Sequence, residues 1–296
     1  MPNFVTVHHL PEAKLECLIM AFGGWPDAAE GATSAVKYLQ RKLEAKKIAD
    51  MDPEEFYDFT QTRPYSSLTQ DGRRRVHWPA NEFFGWAGQG PAKGMMTFLG
   101  VEPNLRWRTF SKALADLAHQ CGVNTIVMVG ALLDAVPHTR PVRLTGGSTR
   151  PDLQRVLDTT SIRSSNYQGP TGITTAVMEA CSQQGMGYTS LWGHTPHYLQ
   201  AAPNYRVCHT LAQTLTRLLD LPLDLGELHS AATTFDQEVA KAIASDEQLN
   251  SYVKTLEARY DESLAASEMP DPAEVVQELE QFLKSEQRRS HENPQE

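Results

Sequence analysis

Cysteine is scarce in this 296-residue chain, and its four copies, Cys17, Cys121, Cys181 and Cys208, stand far apart with no C-x-x-C pair. That spacing argues against a disulfide framework and a structural zinc site, and for buried free thiols in a reducing compartment. Long apolar runs are missing as well. The longest, such as "TIVMVGALL" at 125–133, falls far short of the ~20 residues that a bilayer requires. The opening "MPNFVTVHHLPEAK" has no basic stretch leading into an apolar one. No secretory signal is therefore expected, and the chain is read as cytoplasmic. Strong catalytic signatures are also lacking: there is no G-x-x-x-x-G-K-[ST], no G-x-G-x-x-G, no H-E-x-x-H and no G-x-S-x-G.

What is present is an uneven charge. Residues 226–296 hold 16 acids and 6 bases, a net of −10, whereas residues 1–225 hold 20 acids and 21 bases. The acidic balance disfavours nucleic acid and anionic membranes as partners. The step near 226 marks a change of organisation.

Strand and helix patterns alternate through the first part. "KLECLIMAF" reads as a buried strand, apolar on both faces. "DAAEGATSAVKYLQRKLEA" reads as a helix with Ala28, Ala32, Ala35, Val36 and Leu39 on one stripe. Asp27 is its expected N-cap, with Glu30 completing a capping box. "KKIADMD" is a second strand. The aromatic, turn-rich segment 53–88 reads as an antiparallel insertion or edge, with Asp71-Gly72 turning a hairpin. Further strands are expected at "GMMTFLGV", Thr125–Val129 and "GYTSLWG". Helices are expected at "RTFSKALADLAHQCG", from Pro151, at "GPTGITTAVMEACSQQG" and at "YRVCHTLAQTLTRLLDL". Crossovers of this kind build a mostly parallel sheet between helical layers. The expected division is an α/β domain over 1–225, a helical appendage over 226–287 and a frayed tail over 288–296. Leu228, Phe235, Ala242, Leu249 and Leu256 form the appendage's seven-residue stripe, with a break at Ser245 to Gln248. A last helix is expected from Asp271-Pro272, with Val275, Val276, Leu279, Phe282 and Leu283 on one face.

Ligands of a parallel sheet bind beyond the carboxyl ends of its strands. The loops leaving the expected strands supply a candidate pocket: Trp25, Asp27, Glu30, Asp134, His138, Arg140, Tyr167, His194 and His197. Each has a plainer explanation, Asp27 as a helix cap and Trp25 as a lid on its own helix start. His194 and His197 flank Pro196 and match no metal motif, so neither a metal nor a cofactor is expected. "GGST" at 146–149 reads as a Gly-rich turn into a helix. "GGWPD" at 23–27 is no degraded phosphate loop, because Trp and Pro crowd the space and the lysine is missing.

Several motifs in order carry a resemblance: "FGGWPDAAEGATSAVKYL", "DPEEFYDF", "HWP", "FLGVEPNLRW", "GALLDAVPHTRP", "SNYQGPTGI" and "WGHTPHYL". Over about its first 220 residues the chain resembles the proteasome-assembly-chaperone 2 family, in its actinobacterial-type branch. The resemblance implies a phosphorylase/hydrolase-like three-layer α/β sandwich. It further implies a homo-oligomer, trimeric as a first expectation, that acts as a chaperone-like scaffold for a protein partner not yet named. Relatives that dock on proteasome rings end in a hydrophobic residue, Tyr and any residue, a pattern from which the ending "NPQE" departs. The same fold serves nucleoside phosphorylases and peptidyl-tRNA hydrolases, so the alternative is a pocket for a small anionic or nucleoside-like ligand.

Overall fold

A computed structural model describes residues 4–89, 92–160, 162–164, 167–199 and 201–268. The chain divides into two compact units, residues 1–245 and 246–296. The first unit opens with β1 (Val5–Val7), β2 (Cys17–Gly23), α1 (Gly31–Lys42) and β3 (Lys46–Met51). It continues with the hairpin strands β4 (Tyr65–Leu68) and β5 (Arg74–His77), then β6 (Glu82–Gln89), β7 (Ala92–Val101) and α2 (Trp107–Gln120). After these come β8 (Thr125–Asp134), β9 (Leu144–Ser148), α3 (Pro151–Thr159), α4 (Ile173–Ser182), β10 (Gly187–Pro196), α5 (Tyr205–Leu218) and α6 (Gly226–Ala244).

Eight strands make one sheet in the order β1-β3-β6-β7-β2-β8-β10-β9. The centre, β7-β2-β8-β10, is parallel. Antiparallel strands extend it at both edges. The alternation of side chains along β2 shows why the sheet is buried on both faces. Leu18, Met20 and Phe22 enter one core with Phe110 and Leu114 of α2 and Ile173 and Val177 of α4. Ile19 and Ala21 enter the other with Ala35 and Leu39 of α1 and Leu211 and Leu215 of α5. The result is the three-layer α/β sandwich with a mostly parallel centre that the sequence predicts.

Two local expectations change. Helix α1 begins at Gly31, because Ala29 and Glu30 take left-handed backbone (φ 49° and 53°) after a short 3-10 turn over Ala28–Glu30. Glu30 therefore completes no capping box. Strand β8 runs five residues beyond Val129, to Asp134, because β10 pairs with it along its whole length.

Helix α6, which follows the charge step, packs within the first unit. Leu228 joins the core beside α1 and α5. Glu227 pairs with Arg41 at 2.7 Å and Lys42 at 2.8 Å, and Asp236 pairs with Arg206 of α5. The second unit is described as one helix, α7 (Glu247–Glu268). Asp246 starts it, its carboxylate accepting from the Leu249 N–H at 3.0 Å. The helix expected from Asp271 lies outside the described residues.

Candidate functional site

The long pairing of β8 with β10 places Asp134 opposite Pro196, and His194 on the same face of the next strand. Their side chains meet: His194 Nδ1 donates to Asp134 Oδ2 at 2.7 Å. The other ring nitrogen, Nε2, lies 3.0 Å from Thr145 Oγ1, within hydrogen-bond reach. Thr145 belongs to β9, so the chain Asp134–His194–Thr145 ties three strands together at the sheet's end. The hydrogen bond from His194 holds the Asp134 carboxyl below the ordinary carboxylate range, against the opposing effect of burial.

The neighbouring loops add basic groups. The His138 N–H donates to Tyr198 Oη at 2.8 Å, and its Nδ1 lies 2.8 Å from the same oxygen. The His197 N–H donates to the Asp134 carbonyl at 3.1 Å. The Arg140 carbonyl accepts from the Arg206 guanidinium at 3.1 Å. His138, Arg140, Arg143, His194 and Arg206 line one cleft with Asn204 and Phe235. Its cavity is about 10 Å³, room for a single water.

Asp134 and His197 border this region without lining the cleft, and the other expected residues lie elsewhere. Asp27 is buried. It accepts from the backbone N–H of Ala32 at 2.7 Å and of Thr33 at 3.2 Å, and from the Thr33 hydroxyl. It caps α1 from across the 3-10 turn, and burial raises its pKa despite these donors. Glu30 is exposed at the left-handed kink. Trp25 is 67% exposed. Its ring lies beside Gly172, where an added Cβ would come within 3.3 Å of it. Glu102 accepts from the Ile173 N–H at 2.9 Å and so caps α4. Tyr167, exposed, donates to the Pro170 carbonyl at 3.1 Å.

The geometry thus places His138, Arg140 and His194 in the cleft, joins Asp134 and His197 to them by hydrogen bonds and ring contacts, and leaves Trp25, Asp27, Glu30 and Tyr167 elsewhere. It adds Thr145, Arg143, Tyr198 and Arg206. Thr145 had no signal, because nothing in "RLTGGS" announces an antiparallel edge strand beside β10. Tyr198 sits next to His197 in "GHTPHYL", and only the return of the 135–143 loop explains its role. Burial pushes the thiols of Cys181 and Cys208 up to about 12, so neither is a thiolate at neutral pH. Among the described residues, no three His, Cys, Asp or Glu side chains converge to hold a metal ion.

Comparison with known proteins follows the same outline. No curated protein matches the chain. A PAC2 family protein from Streptomyces avermitilis is similar at 36% identity over 80% of this chain and 99% of its own, with a TM-score of 0.70. A proteasome-assembly chaperone homologue from Mycobacterium tuberculosis is similar at 33% identity over 80% and 99%, with a TM-score of 0.71. An archaeal proteasome activator from Pyrococcus furiosus, at 17% identity over 80% and 97% and a TM-score of 0.63, shares the fold. The model of the PAC2 family matches residues 21–243, from the end of β2 through α6, and the chain belongs to that family.

Proposed function

We propose that this protein is a homo-oligomeric, chaperone-like scaffold that binds protein partners, and that it works in the cytoplasm. The observation that carries this reading is the surface at the carboxyl ends of the parallel strands. Trp25, Leu105, Leu133 and Tyr167 stand exposed there. Exposed aromatic and aliphatic side chains are what protein interfaces use. The related chain described as a proteasome-assembly chaperone homologue supports the same class of role. A trimer is the expected assembly. Nucleic acid and membrane are not expected partners; no described helix is long and apolar enough to cross a bilayer. Affinity capture of the intact chain from its native cells, read by mass spectrometry for proteins and small molecules, tests the reading. Stoichiometric recovery of a protein partner is expected. Recovery of a small metabolite and no protein would contradict it.

A second reading keeps one specific observation. A hydroxyl against an imidazole, with a carboxylate behind it, is the order of nucleophile, base and orienting acid. With His138, Arg140 and Arg143 nearby, it describes an enzyme or binding protein for a small anionic or nucleoside-like ligand. Turnover of activated acyl or phosphate esters, abolished in both Thr145→Val and His194→Gln, is its test. Equal rates in all three proteins would dismiss it.

A further inference from the structure

The hairpin β4–β5 is a sheet of its own, paired to no strand of the main sheet. Tyr65 faces His77 and Ser67 faces Arg75 across one side. Ser66 faces Val76 and Leu68 faces Arg74 across the other. The turn is well built. Gly72 takes φ 78°, and the Thr69 hydroxyl accepts from the Arg73 N–H at 3.1 Å. The strands are not covered. Of their eight residues only Ser67 and His77 are even partly buried, and Leu68 is 67% exposed. Tyr65, Val76 and the adjoining Trp78 are exposed too, Trp78 resting edge-on against Phe59 at 4.8 Å between centroids. A two-stranded hairpin wetted on both faces is marginal alone. This one presents large apolar side chains to solvent, the pattern of an interaction surface.

Its charge says what it would meet. Residues 63–78 contain Arg63, Arg73, Arg74 and Arg75 against a single acid, Asp71, a net of +3. The chain as a whole is at −9, so everything outside the hairpin segment sums to −12, of which residues 226–296 hold −10. The arginines are exposed. Aromatic residues and arginine are the side chains that interfaces concentrate. A basic, apolar arm is complementary to the acidic C-terminal part, from residue 226 on, of another copy of the molecule.

We infer that the β4–β5 hairpin is a subunit-contact arm that docks on an acidic surface of a second copy of this chain. The inference rests on the homo-oligomer reading above and names the element that makes the contact. Leu68 and Val76 supply the apolar centre, and Arg73, Arg74 and Arg75 the charge that orients it.

Sedimentation velocity of the full chain tests this with two variants, Leu68→Ser/Val76→Ser and Arg73→Glu/Arg74→Glu/Arg75→Glu. The unmodified chain is expected to sediment as an oligomer, and both variants to associate at least tenfold more weakly. Their melting temperatures should stay close to the original, because none of these side chains enters either core. Raised salt should weaken association of the unmodified chain. An oligomer of unchanged mass in both variants overturns this inference alone. A monomer in the unmodified chain overturns the homo-oligomer reading and this inference with it. A photo-crosslinking amino acid in place of Val76, read in cells, needs no folded variant. A chain-to-chain product is expected, and a product only with a different protein overturns the second-copy assignment.

Discussion

Two aspartates show how the same side chain serves different ends. Asp27 holds the first free N–H groups of α1 from five residues away. Replacing it with Ala should cost about 1 kcal/mol of stability, as for other lost helix caps, and Asp27→Asn should cost less. Thermal melting of the three proteins checks the order. Asp134 is bound to His194, which depresses its pKa in the folded state. A carboxyl depressed on folding contributes stability above its unfolded pKa, near 3.9, and loses it as pH falls through the folded value. The stability advantage of the unmodified chain over Asp134→Asn should therefore be full near pH 7 and shrink steadily below about pH 4. An advantage that grew on acidification would contradict the assignment. Of the pair, Asp134 and His194 were both legible as loop or strand-end residues; their contact was not. It depends on the strand register, which letters 60 positions apart do not reveal.

Elements depend on small spaces between them. Trp192 of β10 lies across Gly130 of β8, where an added Cβ would come within 2.4 Å of the indole. Gly130→Ala should cost about 1–3 kcal/mol by overpacking, read as a lower melting temperature. Helix α6 is held by Leu228 and by the pairs Glu227–Arg41 and Glu227–Lys42. The exposed pairs add little and the buried leucine most, so Leu228→Ala is expected to cost about 2–4 kcal/mol. We further expect truncation after Leu225 to give a protein that aggregates or melts lower, since it uncovers α1 and α5. An unchanged melting temperature would refute that. The strand–helix alternation was readable because buried strands and amphipathic helices have different periods. The start of α1 was not. Asp27, followed three residues later by Glu30, has the letters of a capping box, and the left-handed kink at Ala29 and Glu30 is a tertiary choice. The loop before it packs against β8, Ala131 donating to the Pro26 carbonyl at 2.8 Å.

At the scale of the whole molecule, the loops at the carboxyl ends of the parallel strands expose Trp25, Leu105 and Leu133. The fold class was legible from alternation and from the ordered motifs shared with the family. The site was only half legible, since five of the nine expected residues gather and four serve caps, kinks and surface. Surface exposure itself leaves no periodic signal, so Trp25 reads alike as a lid or as a contact residue. The central claim is that this surface and the acidic–basic asymmetry of the chain serve association. The mass of the intact chain in solution, measured by light scattering at micromolar concentration, tests it most directly. The account predicts a whole-number multiple of 32.9 kDa, with three copies expected. A single species of 32.9 kDa throughout that range would contradict it.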